Sequence, residues 1–147
     1  MSSRPFARSA LRVVVDTNVW ISGLILPRSA PGAVLAAARE RRFTIITSWE
    51  LAEELVEVLA RPKLARYEIT AADIADVLRL LAPTLPATEL DLPIRDPDDA
   101  PVVGAAVAGR AQAMVTGDRD LFDDAIYSWL REREVDVLRP ADLMARL

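Results

Sequence analysis

Short runs of apolar residues alternate along the chain with longer segments in which apolar residues recur at helical spacing. The apolar runs predict strands at residues 11–15, 43–47, 113–116 and 135–138. The helical spacing predicts helices at residues 31–42, 49–60, 71–82 and 101–111, and a terminal helix from Pro140. Strands that alternate with helices in this way are typical of a mainly parallel sheet with helices on both faces, the α/β class.

Local signals set several helix ends. Ser48 is suited to cap the helix that follows it, and Pro62 should end that helix. Thr70 and Asp73 have the spacing of a capping box at the start of the next helix. Residues 83–101 are rich in proline and aspartate, which predicts a loop with a short edge strand near residues 88–90.

The length of 147 residues, of which 52% are hydrophobic, suits one domain with its own core. We expect residues 1–10 to be a disordered leader and residues 11–147 to form a single domain. The run at 11–15 is interrupted by Arg12 and is too short for a signal peptide. No apolar segment approaches the roughly 20 residues of a membrane span, so the expected location is the cytoplasm.

The chain contains no cysteine and no histidine. These absences exclude disulfides, thiolate metal sites, cysteine nucleophiles and mechanisms with an imidazole base. The net charge of -4 argues at first against a nucleic-acid partner. Divalent cations held by carboxylates would cancel that excess and bind phosphate themselves, so carboxylate chemistry with a metal stays open.

Two aspartates follow predicted strands, Asp16 after the first and Asp118 after the third. In parallel sheets, active sites lie beyond the carboxyl ends of the strands. Each aspartate could instead cap the helix that follows it. On the predicted helix at 49–60, Glu54 lies at the edge of the apolar face, whereas Glu53 and Glu57 point away from it and Glu50 is intermediate.

Three aspartates, Asp96, Asp98 and Asp99, stand just before the helix predicted at 101–111. One of them could cap that helix, but three would repel one another unless a cation lay near. Oxygen ligands without nitrogen or sulfur favour Mg²⁺ or Mn²⁺. Such ions activate water and stabilise the charge of phosphoryl transfer.

At these residues the chain resembles the PIN domain family, and most closely the PIN proteins that are VapC-like toxins of toxin-antitoxin systems. The resemblance rests on VVVDTNV at residues 13–19, DPDD at 96–99 and VTGDRDL at 115–121. Between the first two lie Ser48, Glu54-Leu55 and Arg61-Pro62-Lys63.

The resemblance implies a three-layer α/β/α sandwich and Mg²⁺- or Mn²⁺-dependent endoribonuclease activity. The implied catalytic and metal-binding residues are Asp16, Glu54, Asp99 and Asp118, with Asp98 as the alternative to Asp99. Asn18, Thr116 and Asp120 would support them. The candidate phosphate contacts are Arg61, Lys63 and Arg119, which could also be ordinary solvated charges.

The resemblance also implies a cognate antitoxin and a homodimer as partners, besides the RNA substrate. Trp129 and Leu130, on the amphipathic segment 123–134, are either core residues or part of such an interface.

Two other functions compete with this one. A haloacid-dehalogenase-like phosphatase also begins with a strand that ends in aspartate, but it needs a second aspartate where this chain has Asn18. Its essential lysine should follow the strand that ends at Thr116, whereas the only lysine, Lys63, precedes it. A catalytically silent PIN-fold binding module is the other alternative, although all four acidic positions are filled.

Overall fold

The computed structural model describes residues 11–81, 100–117 and 124–147. The strands are β1 (Arg12–Val15), β2 (Thr44–Ile46), β3 (Ala113–Val115) and β4 (Asp136–Leu138). The helices are α1 (Thr17–Ile25), α2 (Ala30–Arg39), α3 (Trp49–Leu59), α4 (Ala71–Leu81), α5 (Ala100–Ala108), α6 (Asp124–Glu132) and α7 (Pro140–Arg146). A short 3-10 helix, Pro62–Tyr67, follows α3.

The four strands form one parallel sheet in the order β2-β1-β3-β4. Val14 pairs with Ile46 on one side and with Met114 on the other, and Met114 pairs with Val137. All four strands therefore end at the same edge of the sheet. This confirms the mainly parallel sheet that the sequence predicts.

Apolar residues cover both faces of the sheet, because successive side chains of a strand point to opposite sides. Val13 and Val15 belong to one buried cluster, which α1, α2, α3, α4 and α7 cover. Val14 and Met114 belong to the other, which α5 and α6 cover. The result is the predicted three-layer α/β/α sandwich.

The capping signals read from the sequence are confirmed. The Ser48 hydroxyl accepts a hydrogen bond from the Leu51 backbone N–H (3.2 Å), where α3 begins. Thr70 and Asp73 form a complete capping box at α4, since the Thr70 N–H donates to Asp73 Oδ2 (2.9 Å) and the Asp73 N–H to Thr70 Oγ1 (3.1 Å).

The structure adds elements that the sequence did not delimit. Helix α1 starts directly after Asp16, so two helices, α1 and α2, connect β1 to β2. Pro62 ends α3 as expected, but it also starts the 3-10 helix. The edge strand predicted near residues 88–90 and the leader predicted at residues 1–10 lie outside the described residues.

On α6, Leu130 is fully buried in the cluster on the second face of the sheet, so it is a core residue. Trp129 is half-buried, and the Arg133 guanidinium stacks on its ring at 3.7 Å from the centroid.

Within the described ranges, no single helix is long and apolar enough to cross a membrane. Helices α1 and α2 pass that test only as a pair, by length and composition, with a bend of 99° between them.

Candidate active site

The residues that directly follow the strands form a row along the carboxyl edge of the sheet. Asp16 follows β1, Thr116 follows β3 and Arg139 follows β4, and Ser48 occupies the corresponding register position beside β2. Each residue of the row stands two positions after a member of the paired set Ile46, Val14, Met114 and Val137. A parallel sheet places its ligand sites at this edge.

Asp16 lies at the centre of this row. Its backbone N–H donates to the Val115 carbonyl (2.8 Å), which continues the β1–β3 pairing beyond the strand. Its carboxylate Oδ2 accepts a hydrogen bond from the Thr116 hydroxyl (3.1 Å). Although Asp16 occupies the N-cap position of α1, its side chain makes no capping hydrogen bond. Its carboxylate does accept a hydrogen bond from the Thr17 backbone N–H, the first N–H of α1, so both the helix start and Thr116 hold it.

Asp16 is half-buried. This burial raises the pKa of Asp16 above its ordinary value of 3.8, and hydrogen bonds from the Thr116 hydroxyl and the Thr17 backbone N–H only partly offset that rise. Among the described residues, no arginine or lysine forms an ion pair with Asp16. A desolvated carboxylate in this position is stabilised when a cation binds to it.

Neighbouring hydroxyl groups give the edge a polar lining. Thr17 is 3% exposed and Thr116 is 4% exposed. Asn18, which the resemblance names as a supporting residue, is exposed in the first turn of α1. No described hydrogen bond links the Asn18 side chain to Asp16.

Glu54 differs from the other glutamates of α3 in its solvent exposure. Glu54 is half-buried, whereas Glu50, Glu53 and Glu57 are exposed. Leu51 and Leu55 flank it on the buried side of the helix. The helical-face argument thus predicted the burial of Glu54 and the exposure of Glu53 and Glu57, while Glu50 is more exposed than predicted.

The remaining acidic candidates, Asp98, Asp99, Asp118 and Asp120, lie outside the described residues, and so does Arg119. In the part of the chain that the structure describes, no three carboxylates come together as a metal-binding group. Of the four predicted ligands, Asp16 and Glu54 are therefore the two whose surroundings are defined.

The two basic candidates that follow α3 are both exposed. Arg61 lies 3.9 Å from the Glu57 carboxylate in a surface ion pair, and Lys63 stands on the 3-10 helix. Sequence reasoning missed Arg139, which the strand register places in the same row as Asp16. The only sequence signal was that Arg139 directly follows an apolar run, as Asp16 does.

Residues 12–120 match the PIN domain family. The chain belongs to the PIN domain family. The match includes both Asp16 and Glu54, and it covers all but the last residue of the segments that carry the resemblance. An uncharacterized protein of Methanocaldococcus jannaschii, MJ1680, is 32% identical to this PIN domain over 115 residues, which are 76% of the chain and 73% of that protein.

Family membership indicates a nuclease-type function, because PIN domains are generally nucleases. PIN nucleases typically use divalent metals. The described part of the site fits such an ion chemically, since it offers a desolvated carboxylate oxygen and no nitrogen or sulfur ligand. In this PIN domain, Asp16 and Glu54 are the described residues that could hold it.

Proposed function

We propose that this PIN domain is a divalent-metal-dependent endoribonuclease that hydrolyses RNA phosphodiester bonds. The observation that carries the proposal is the state of Asp16. Its carboxylate is half-buried at the carboxyl edge of a parallel sheet, accepts a hydrogen bond from Thr116, and has no cationic partner among the described residues. A Mg²⁺ or Mn²⁺ ion would supply the missing positive charge.

The proposed catalytic and metal-binding residues are Asp16, Glu54, Asp99 and Asp118. Asn18, Thr116 and Asp120 would support them, and Arg61, Lys63 and Arg119 would contact RNA phosphates. Burial supports Glu54 over its neighbours on α3, because a half-buried carboxylate has lost part of the hydration that the exposed ones keep.

Each described residue has a separate task in this scheme. Asp16 and Glu54 provide oxygen ligands, and the Thr116 hydroxyl holds one oxygen of the Asp16 carboxylate in place. When bound, a divalent cation would supply water of lowered pKa and would stabilise negative charge on the phosphate. Hydrolysis by water would leave a 5′-phosphate and a 3′-hydroxyl.

Two variants of α3 test the proposal with a matched control. Glu54→Gln should abolish Mg²⁺- or Mn²⁺-dependent cleavage of a structured RNA panel, because a neutral amide is a poor substitute for a carboxylate ligand. Glu53→Gln changes an exposed carboxylate one residue away and should cleave like the wild type. Cleavage by the wild type in EDTA, or equal rates for both variants, would contradict the proposal.

The ends of the products provide a second test of the same chemistry. Fragments that a 5′-phosphate-dependent exonuclease degrades would support attack by water. Fragments that end in a 2′,3′-cyclic phosphate would contradict it, because that product requires the ribose hydroxyl as the nucleophile.

We further propose that the protein acts in the cytoplasm as the toxin of a toxin-antitoxin system, as a homodimer that a cognate antitoxin inhibits. The support is the resemblance to VapC-like toxins. Induced expression of the wild type should arrest bacterial growth, and Asp16→Asn should not. Normal growth with equal amounts of both soluble proteins would contradict the toxin role.

A further inference from the structure

A groove lies at the amino-terminal edge of the sheet, where α5 leads into β3 and α6 leads into β4. Its volume is about 430 Å³, and its floor is apolar, formed by Ala106, Val107, Ala111 and Val135. Gln112, on the wall of the groove, stands four residues before Thr116. At about 3.3 Å per strand residue, the groove therefore lies about 13 Å from the row that contains Asp16, and it is separate from the candidate active site.

Two similar turns carry charged side chains to the rim of this groove. Each turn closes with a backbone hydrogen bond to the carbonyl five residues earlier, from Ala111 to Ala106 (2.8 Å) and from Val135 to Leu130 (3.0 Å). The left-handed residues of the two turns are Arg110 (φ 53°) and Glu134 (φ 60°). Glycine is the usual residue in such a position, because other residues are strained there. Both turns instead keep a charged side chain that lines the groove.

Two guanidinium groups at the rim are available to an anion. Arg133 stacks on the Trp129 ring at 3.7 Å from its centroid and donates to the Trp129 carbonyl (3.0 Å), which fixes its orientation and leaves further N–H donors free. The Arg110 side chain has no hydrogen bond or ion pair within the described residues. The carbonyls at the end of α5 do not require it, because the Arg12 guanidinium already donates to those of Gly109 and Arg110.

Glu134 adds an acceptor between these donors. An anion is unfavourable at the carboxyl end of a helix, so the stability of α6 does not explain it. Within the described part of the chain, its carboxylate forms no ion pair with Arg110 or Arg133, although all three residues line the groove. The groove thus combines an apolar floor, two guanidinium groups and one separate carboxylate.

These groups match the parts of an unpaired nucleotide. A guanidinium binds phosphate through two parallel hydrogen bonds. A planar base can cover the apolar floor, and a carboxylate accepts hydrogen bonds from the N–H groups that a base exposes when it is unpaired. The chain has a net charge of -4, so an RNA strand depends on local cationic contacts of this kind.

We propose that this groove binds an unpaired nucleotide of the RNA substrate, away from the bond that is cleaved. The proposal rests on the proposed ribonuclease function and narrows its substrate class. The substrate is an RNA that reaches from the row at Asp16 to the opposite edge of the sheet and offers a single-stranded nucleotide there. A free mononucleotide has the same chemistry, so the experiment must separate the two sources.

The first test measures binding alone, so that cleavage is not needed. Asp16→Asn protein is the non-cleaving background, and the probe is a fluorescein-labelled single-stranded RNA of about a dozen nucleotides and mixed sequence. Its affinity is measured by anisotropy at several NaCl concentrations and fixed Mg²⁺. Adding Arg110→Gln with Arg133→Gln should lower the slope of log K against log[salt] by about 0.7, the value for one lost phosphate contact on a single strand.

Matched variants separate the groove from a general charge effect. Arg42→Gln with Arg131→Gln removes the same charge outside the groove and should leave the slope unchanged. Arg110→Lys with Arg133→Lys keeps the charge and should retain most of the slope. A fully double-stranded RNA should bind equally to the groove variant and to its background, because its bases are paired.

Trp129 provides a spectroscopic readout of Arg133. Trp49 is 62% exposed and is replaced by phenylalanine so that it cannot respond to RNA, whereas Trp20 is only 3% exposed. Single-stranded RNA that draws the Arg133 guanidinium towards a phosphate should change the fluorescence of Trp129. The change should be absent when Arg133→Gln is added, and adenosine 5′-monophosphate is titrated in parallel.

An unchanged salt slope in the groove variant, an equal fall in the control variant, or the same dependence for double-stranded RNA would overturn the proposal. A Trp129 response to adenosine 5′-monophosphate but not to RNA would also overturn it, and would make the groove a site for a free nucleotide. Failure of the ribonuclease function looks different, because the wild type would then cleave no RNA with any metal while the slope still depended on the two arginines.

Discussion

Replacing Thr116 with valine removes the hydroxyl that donates to Asp16 and keeps nearly the same shape. Thr116 is 4% exposed, so water cannot easily replace the lost donor. A hydrogen bond to a charged group contributes about 1.5–3 kcal/mol. The 3.1 Å separation is long for a hydroxyl donor, so the lower end applies, about 1.5 kcal/mol. For a chain of this size, that loss lowers the melting temperature by about 3–6 °C.

Thr116→Val should also weaken metal binding, because one oxygen of the Asp16 carboxylate loses its orienting hydrogen bond. Groups that orient metal ligands typically contribute 10–100-fold in affinity. Affinity can be read from the rise in melting temperature during a Mn²⁺ titration. Thr116→Ser keeps the hydroxyl and is the matched control. If Thr116→Val bound Mn²⁺ as tightly as Thr116→Ser, Thr116 would have no role in holding the Asp16 carboxylate.

Three further substitutions test the fold around the site. Leu130→Ala should cost about 2–5 kcal/mol in urea unfolding, because the side chain is fully buried, and a cost under 1 kcal/mol would refute its place in the core. Gly32→Ala should cost about 1–3 kcal/mol, since a Cβ there overlaps the Pro27 carbonyl, whereas Gly117→Ala meets open space and should be nearly neutral in the same assay. Asp73→Asn should destabilise the protein at neutral pH, because hydrogen bonds from Thr70 hold the pKa of Asp73 below 3.8. That cost should shrink as the pH falls through the lowered pKa of Asp73. Urea unfolding at several pH values measures it, and a difference in unfolding free energy between wild type and variant that did not change with pH would contradict the prediction.

The sequence predicted the four strands and most helix ends because their signals are local. β-branched runs such as residues 13–15 favour buried parallel strands, and the caps at Ser48 and Thr70 depend on residues only three positions apart. Glu54 was predictable for a similar reason, since its burial follows from the helical period of the leucines on α3.

Helix α1 was harder to delimit because most of its side chains are apolar, so it lacks a clear polar face. The carboxylate of the preceding residue, Asp16, is shared between the Thr17 N–H at the helix start and the Thr116 hydroxyl. That contact joins residues 100 positions apart and could not be read from local spacing.

The place of Arg139 depends on tertiary structure in the same way. It becomes a neighbour of Thr116 only when β4 pairs with β3 in the observed register. Nothing in the apolar run at residues 135–138 identifies the strand with which it pairs. The sequence could therefore predict site residues on a single element and at the strand ends, such as Asp16 and Thr116, whereas it could not predict the order in which the four strand ends lie side by side.

The most direct measurement is the rate of RNA cleavage by the purified wild type and by Asp16→Asn, each with Mg²⁺, with Mn²⁺ and with EDTA. The account predicts cleavage by the wild type with metal and none in EDTA, and no cleavage by Asp16→Asn in any condition, although both proteins are folded. Equal, metal-independent cleavage by both proteins, or no cleavage by either, would contradict the claim that Asp16 binds the catalytic metal of a ribonuclease.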